Sequence, residues 1–287
     1  MTSPVPPGAY TNIDWNEVWK ARQERYDAAR ITGDTSHDWD RKKNADRYAA
    51  QSGGEFEKRI RMTLNGLSLS RTTRVLDIGA GPGTLAIPLA AKVREVTAVE
   101  PGSGMIAALK DRAALEGITS ITCIQKRWED VDPGRDLAGP YDLVIASLSL
   151  TMHNIREAVQ KMDAVSCGEV CLYWFVDLPF WERMYADLVM PLHARPYYPG
   201  PKADCLWNVL YQAGIYADVR MLPMDKEYRF PSRGEMTAFF KKRFGVTTRE
   251  QEEVLDEYLS RLMRTDGEDV VISGESTFAK IWWRTRD

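Results

Sequence analysis

Two short stretches carry the residues best suited to chemistry. Arg74-Val-Leu-Asp-Ile-Gly-Ala-Gly-Pro-Gly-Thr84 passes from an apolar run through Asp77 into three alternate glycines, Gly79, Gly81 and Gly83. Val96-Thr-Ala-Val-Glu-Pro101 is a second apolar run, ending in Glu100. A buried strand that turns through glycines lets the backbone bend tightly and approach a ligand. A carboxylate at the end of the next strand can accept both hydroxyls of a ribose. The order therefore reads as a nucleoside site.

Spacing narrows the ligand. A dinucleotide fingerprint needs G-x-G-x-x-G, with the third glycine packing helix onto strand. Here the glycines alternate, and Thr84 follows Gly83. Asp77, two residues before the first glycine, would repel a pyrophosphate but suits a ligand bearing an ammonium group. A Walker A loop is excluded, because no Gly-Lys-Ser/Thr follows. The stretch fits an amino acid joined to a nucleoside.

Asp77-Ile-Gly-Ala-Gly-Pro-Gly83 resembles motif I of the class I S-adenosylmethionine-dependent methyltransferases, and Glu100 matches that family's ribose-binding acid. Ile121 to Asp130 falls where the family's third strand ends beside the adenine, and Tyr141 to Ser149 where the fourth borders the methyl group. The resemblance covers about Arg71 to Val176 well. It implies S-adenosyl-L-methionine as cofactor, S-adenosyl-L-homocysteine as product, and a donor site drawn from Asp77, Gly79, Ala80, Gly81, Gly83, Glu100, Pro101, Met105, Trp128, Glu129 and Ser147. Trp128 either walls off the adenine or packs under the fourth strand. Met105 either covers the adenine face or faces the core. Trp39-Asp40 and Ala45-Asp-Arg-Tyr48 resemble a run that precedes motif I in small-molecule methyltransferases, which adds Tyr48 as a donor contact, although four residues rather than two separate Asp40 from Ala45. His153, after the fourth strand, is the one candidate general base. A helix-start histidine making a cap hydrogen bond is the plainer account of it.

These residues need a scaffold. Strands are expected near 74–79, 95–100, 120–125, 141–147 and 169–176, with helices near 84–92, 103–116 and 154–166. That alternation predicts an α/β fold: a Rossmann-like, doubly wound, seven-stranded sheet with an N-terminal helical cap and a C-terminal helical insertion. The expected division is a cap over 1–70 and a methyltransferase domain over 71–287, with the insertion at about 231–274. The cap reads as helices from Asp14 to about Arg30, about Asp38 to Ala50, and Phe56 to about Leu67. After the fifth strand, aromatic residues from Trp174 to Tyr211 concentrate where the family places its acceptor pocket. A seam packing the inserted helices explains most of them.

Composition sets further limits. A formal net charge of -3 supplies no global field for nucleic acid. No apolar run approaches the ~20 residues of a membrane span, and the N-terminus lacks the basic and apolar regions of a signal peptide, so a cytoplasmic protein is expected. Cys123, Cys167, Cys171 and Cys205 form no C-x-x-C pair, and the three histidines have no helical pairing, so no metal is expected. The activity expected is methyl transfer to a small-molecule acceptor. A protein or tRNA methyltransferase on the same core, a non-catalytic S-adenosylmethionine-binding protein and a dinucleotide-dependent oxidoreductase are the alternatives. The acceptor atom and the oligomeric state, a homodimer included, stay open.

Overall fold

The apolar runs read above become the inner strands of one twisted sheet. The computed structural model describes residues 13–29, 39–42, 44–46 and 53–285. The main sheet contains β1 (Arg74–Ile78), β2 (Glu95–Val99), β3 (Ile121–Ile124), β4 (Tyr141–Ser147), β5 (Ser166–Phe175), β6 (Asp218–Pro223) and β10 (Thr277–Arg284), in the order β3-β2-β1-β4-β5-β10-β6. β1 to β5 run parallel, and β10 is antiparallel to both β5 and β6. Strands buried on both faces lose the polar–apolar alternation of half-exposed strands. Accordingly Val75 to Ile78 and Leu143 to Ala146 are all buried.

Helices cover both faces. On one, α2 (Gly53–Asn65) and the residues after it set Ile60, Met62, Leu64 and Leu67 against Val75, Leu143, Ile145 and Cys171. On the other, α1 (Trp15–Ala29), α6 (Ile155–Val165) and α8 (Ala203–Gln212) close over Leu76, Val144, Leu172 and Ile281. Trp19 anchors α1: its indole N–H donates to the Met152 carbonyl at 2.8 Å, and its ring lies 6.0 Å from that of Trp174. A buried indole with its one donor satisfied fixes position as well as area.

The remaining connections are α3 (Ala86–Ala90), α4 (Ser103–Leu115), α5 (Pro133–Asp136) and α7 (Phe180–His193). The helix expected at 84–92 is shorter, because the glycine-bearing turn runs on to Leu85. Of the helix expected at about 38–50, residues 39–42 and 44–46 are described, with helical turns at 39, 42 and 44–46, and Tyr48 lies outside the described residues.

Between β6 and β10 the chain builds a unit with its own core. The two helices expected there are α9 (Arg233–Arg243) and α10 (Arg249–Leu262), the latter started by a Thr248–Gln251 capping box. The segment expected to be helical also holds β8 (Arg264–Asp266) and β9 (Asp269–Gly274), which join β7 (Lys226–Phe230), just before it, in a three-stranded antiparallel sheet in the order β7-β9-β8. Phe240, Phe244, Leu255, Leu259 and Ile272 form its core, and α7 contributes Met184, Leu188 and Leu192.

Candidate functional site

The site lies at the C-terminal ends of β1, β2 and β4. After β1 the chain passes through Gly79 (φ +72°), Gly81 (φ +54°) and Gly83 (φ +81°), left-handed conformations that side chains resist. The glycines differ in what surrounds them. A Cβ on Gly79 would lie 2.3 Å from Cβ of Ser149, whereas one on Gly81 would meet no atom of the described residues within 4 Å. Gly79 is thus demanded by packing, and Gly81 borders open space. Ala80 is buried, and both its amide and that of Gly79 donate to the Val99 carbonyl, tying the loop to β2.

Glu100 is 8 % exposed and spans the loop and the start of α4. Its Oε2 accepts from the Gly81 amide at 3.0 Å and its Oε1 from the Gly102 amide at 2.8 Å. Burial raises its pKa, and the two amides pull against that rise. Each carboxylate oxygen keeps further acceptor capacity. Pro101 beside it is exposed. Asp40 accepts from the Ser103 amide at 3.0 Å, which seats the segment around Trp39 on the start of α4. Met105 is buried there with Ala45 and Ala108, packed against Trp39.

Asp77 is the most perturbed acid at the site. Its carboxyl is 2 % exposed, and Oδ2 has no hydrogen-bond partner among the described residues. Desolvation, then the neighbouring Glu100 charge, pushes its pKa up from 3.8 to about 7, against the pull of Arg59. Arg59, on α2, donates to Ser147 Oγ at 3.1 Å. Beyond Ser147 the strand breaks at Leu148, whose φ of +57° is strained for a branched side chain. Ser149 Oγ then donates to the Ile78 carbonyl at 2.6 Å, clamping the end of β4 onto the loop after β1.

Nothing in the sequence singled out Arg59. An arginine on an amphipathic helix has the local signature of a solvated face, and only the docking of α2 brings it to Asp77 and Ser147.

Other expected residues divide. Glu129 is exposed at the turn after β3. Trp128 is 2 % exposed, its indole N–H donates to the Ala158 carbonyl at 3.1 Å, and it packs with β4 and α6. Of its two accounts, packing under the fourth strand fits these surroundings. His153 Nε2 lies 3.0 Å from Asp27 Oδ2 on α1, with both side chains about half exposed. The cap of α6 belongs instead to Asn154, whose side chain accepts from the Glu157 amide. An exposed pair of this kind contributes ~0–1 kcal/mol. His153→Ala should therefore leave methyl transfer within about twofold of wild type and lower stability by no more than that; loss of turnover with donor binding intact would restore His153 as the base.

Asp77 Oδ2, buried and unpartnered among the described residues, and Glu100, with acceptor capacity left over, suit a ligand carrying an ammonium and a ribose. Residues 75–167 match the family described as a methyltransferase domain. Over those residues the chain carries a methyltransferase domain. Among similar proteins, an uncharacterized protein of Haemophilus influenzae is 25 % identical over 246 residues, 85 % of this methyltransferase and 88 % of that protein. A 23S rRNA (uracil(1939)-C(5))-methyltransferase of Aeromonas hydrophila is 27 % identical over 128 residues, 40 % of this chain and 28 % of that enzyme. In fold, the chain is similar to the YcgJ protein of Bacillus subtilis (TM-score 0.55, 15 % identity, 80 % of this chain and 99 % of that one). It is also similar to a candidate methyltransferase of Bacillus halodurans (TM-score 0.56, 16 % identity, 79 % and 99 %). No helix among the described residues is long and apolar enough to cross a membrane.

Proposed function

We propose that this methyltransferase transfers the sulfonium methyl of S-adenosylmethionine to a small-molecule acceptor. The observation that carries the donor site is Asp77 Oδ2, buried with no partner among the described residues. The bound donor supplies a methyl already activated by positive charge, so the protein's task is placement and exclusion of water. Glu100 holds the ribose hydroxyls while its own position is fixed by two amides. Asp77 and Arg59 present opposite charges at the ends of β1 and β4, suited to the ammonium and carboxylate of an amino acid. Gly79, Ala80, Gly81 and Gly83 shape the loop, Met105 on α4 packs against the Trp39 segment, and Glu129 is exposed near the adenine end.

The acceptor side is the end of β5. Phe175 packs edge-on against Trp181 at 5.6 Å, and Lys202 Nζ lies 5.7 Å from the Phe175 ring centroid. Lys202 pairs with Glu182 at 2.7 Å, with both side chains little exposed. These aromatic and internally paired charged groups suit a small organic acceptor, and the formal charge of -3 gives no attraction for a phosphate backbone.

Two measurements test the reading. Glu100→Ala should weaken donor binding in calorimetry by on the order of 10- to 100-fold, the worth of hydrogen bonds to a charged group, with the melting transition still cooperative. Unchanged affinity would remove Glu100 from the site. Incubation with methyl-labelled donor and fractionated cell extract should place label in the small-molecule fraction. Label in RNA or protein would replace the acceptor class, and donor binding with no labelled product would leave a binding protein.

A further inference from the structure

β6 is the outermost strand of the seven-stranded sheet and, among the described residues, is hydrogen-bonded only on its β10 side. Its register with β10 runs unbroken through six pairs, Asp218 opposite Trp282 to Pro223 opposite Thr277, with no bulge to twist the edge away. Open edges are normally blunted by bulges, cover, brevity, proline or charged side chains, and of these β6 has only Asp218, Arg220 and its terminal Pro223. β3, at the opposite edge, has four residues. β6 has six, with five exposed, and only its last, Pro223, lacks an N–H.

The edge also carries an apolar ridge. Val219 and Met221 pair with Ile281 and Ala279, which face α8, so all four side chains share that face. Val219 is 39 % exposed and Met221 57 %. Trp207 and Tyr211 on α8, with Tyr216 after it, stand beside them: Trp207 and Tyr211 stack at 5.8 Å, and Tyr211 meets Tyr216 edge-on at 5.4 Å. Five of the nine large exposed apolar side chains among the described residues gather at this edge. Clustering of that kind marks an association surface, where scattered apolar residues would not.

The strand's own charges name the occupant. Asp218 and Arg220 flank Val219 and point to the opposite face. If β6 meets a second β6 antiparallel about a two-fold axis through Val219, Asp218 lies opposite the partner's Arg220, and Arg220 opposite the partner's Asp218. Both pairs are of opposite charge, which stabilises cross-strand neighbours, and the apolar ridges of the two copies become continuous. Sliding the axis to Arg220 or to Asp218 sets like charges opposite each other. The sequence of this strand is complementary to itself in one register. We propose that two copies of this chain associate through β6 in that register, joining their sheets edge to edge. β4, β5 and β10 separate this edge from the glycine loop on β1, so both donor sites stay open.

Sedimentation velocity, with donor binding and the melting transition as folding checks, tests this. Wild type should sediment as a dimer. Asp218→Arg, and separately Arg220→Asp, should weaken dimerisation by on the order of tenfold or more, since each turns two attractive pairs into repulsive ones. The double variant Asp218→Arg/Arg220→Asp should restore the dimer. A monomeric wild type overturns the proposal. So do single variants that dimerise as tightly as wild type, and a double variant no tighter than the singles.

Discussion

Asp77→Asn should make the ligand-free methyltransferase harder to melt at pH 8 while weakening its hold on the donor. The Asp77 carboxyl is buried, one oxygen is unpartnered, and its pKa stands near 7 rather than at 3.8. A carboxyl whose pKa is raised by folding stabilises the protein fully below its unfolded pKa. That contribution fades as pH rises through the folded value. Between pH ~4 and ~7 the ligand-free protein therefore loses about 4 kcal/mol at this one residue. Asn carries no charge to desolvate, so the variant should melt higher at pH 8, by the equivalent of roughly 2–4 kcal/mol, and no higher at pH 4. The donor's ammonium favours the ionised carboxyl and pulls its pKa back down. Wild-type donor affinity should thus rise from pH 6 to 8, with a proton released on binding that calorimetry in buffers of different ionisation enthalpy detects. In Asp77→Asn the proton release should vanish and affinity should fall by ~10- to 100-fold. A variant that melts lower than wild type at pH 8, or still releases the proton, would remove Asp77 from both roles.

The second large effect separates two neighbouring glycines. Gly79→Ala forces a methyl to within 2.3 Å of Ser149 Cβ in a backbone that already has φ +72°. Ser149 cannot retreat without giving up its bond to the Ile78 carbonyl. The variant should lose more than ~3 kcal/mol, or fail to fold, because both strain and overpacking act together. Gly81→Ala meets no atom of the described residues, so its cost is the left-handed conformation alone, ~1–2 kcal/mol. It should fold, melt a few degrees lower, and bind donor at least ~10-fold more weakly, because the new methyl projects into the approach. Thermal melts with calorimetric donor titrations distinguish the two outcomes. Equal melting temperatures would show that the clamp between Ser149 and the loop is not tight, and unimpaired binding by Gly81→Ala would move the donor elsewhere.

Features that rest on local chemistry were legible in the sequence. The expected strands at 74–79, 95–100, 120–125 and 141–147 lie within a residue of β1 to β4 at either end, because uninterrupted buried runs bounded by turn residues signal their own limits. The glycine loop and Glu100 needed only spacing. β8 and β9 are three and six residues long, and β7 reaches β9 across more than thirty residues, so that sheet left no period to read. Arg59 escaped for the same reason at the site. Its role depends on which face of α2 docks, and that is decided by Ile60, Met62 and Leu64 acting against a sheet assembled elsewhere in the chain. Trp128 was half legible: its place after β3 was clear, but its inward rotation follows from the Ala158 carbonyl that receives its indole N–H.

The position of β10 between β5 and β6 sets a timetable for synthesis. β5 ends at Phe175, while the strand that covers its free side runs from Thr277 to Arg284. At ~5–20 residues per second, a growing chain carries the donor loop and five paired strands for on the order of 5–20 s with the side of β5 bare. During that interval α7, α9 and α10 emerge and can begin to pack around Phe240 and Leu255, while β9 follows only just ahead of β10. The final strand then slides between two edges that have been waiting for it, and a nascent chain stalled before Thr277 would present the ribosome's chaperones with an almost complete enzyme whose sheet is still open in the middle.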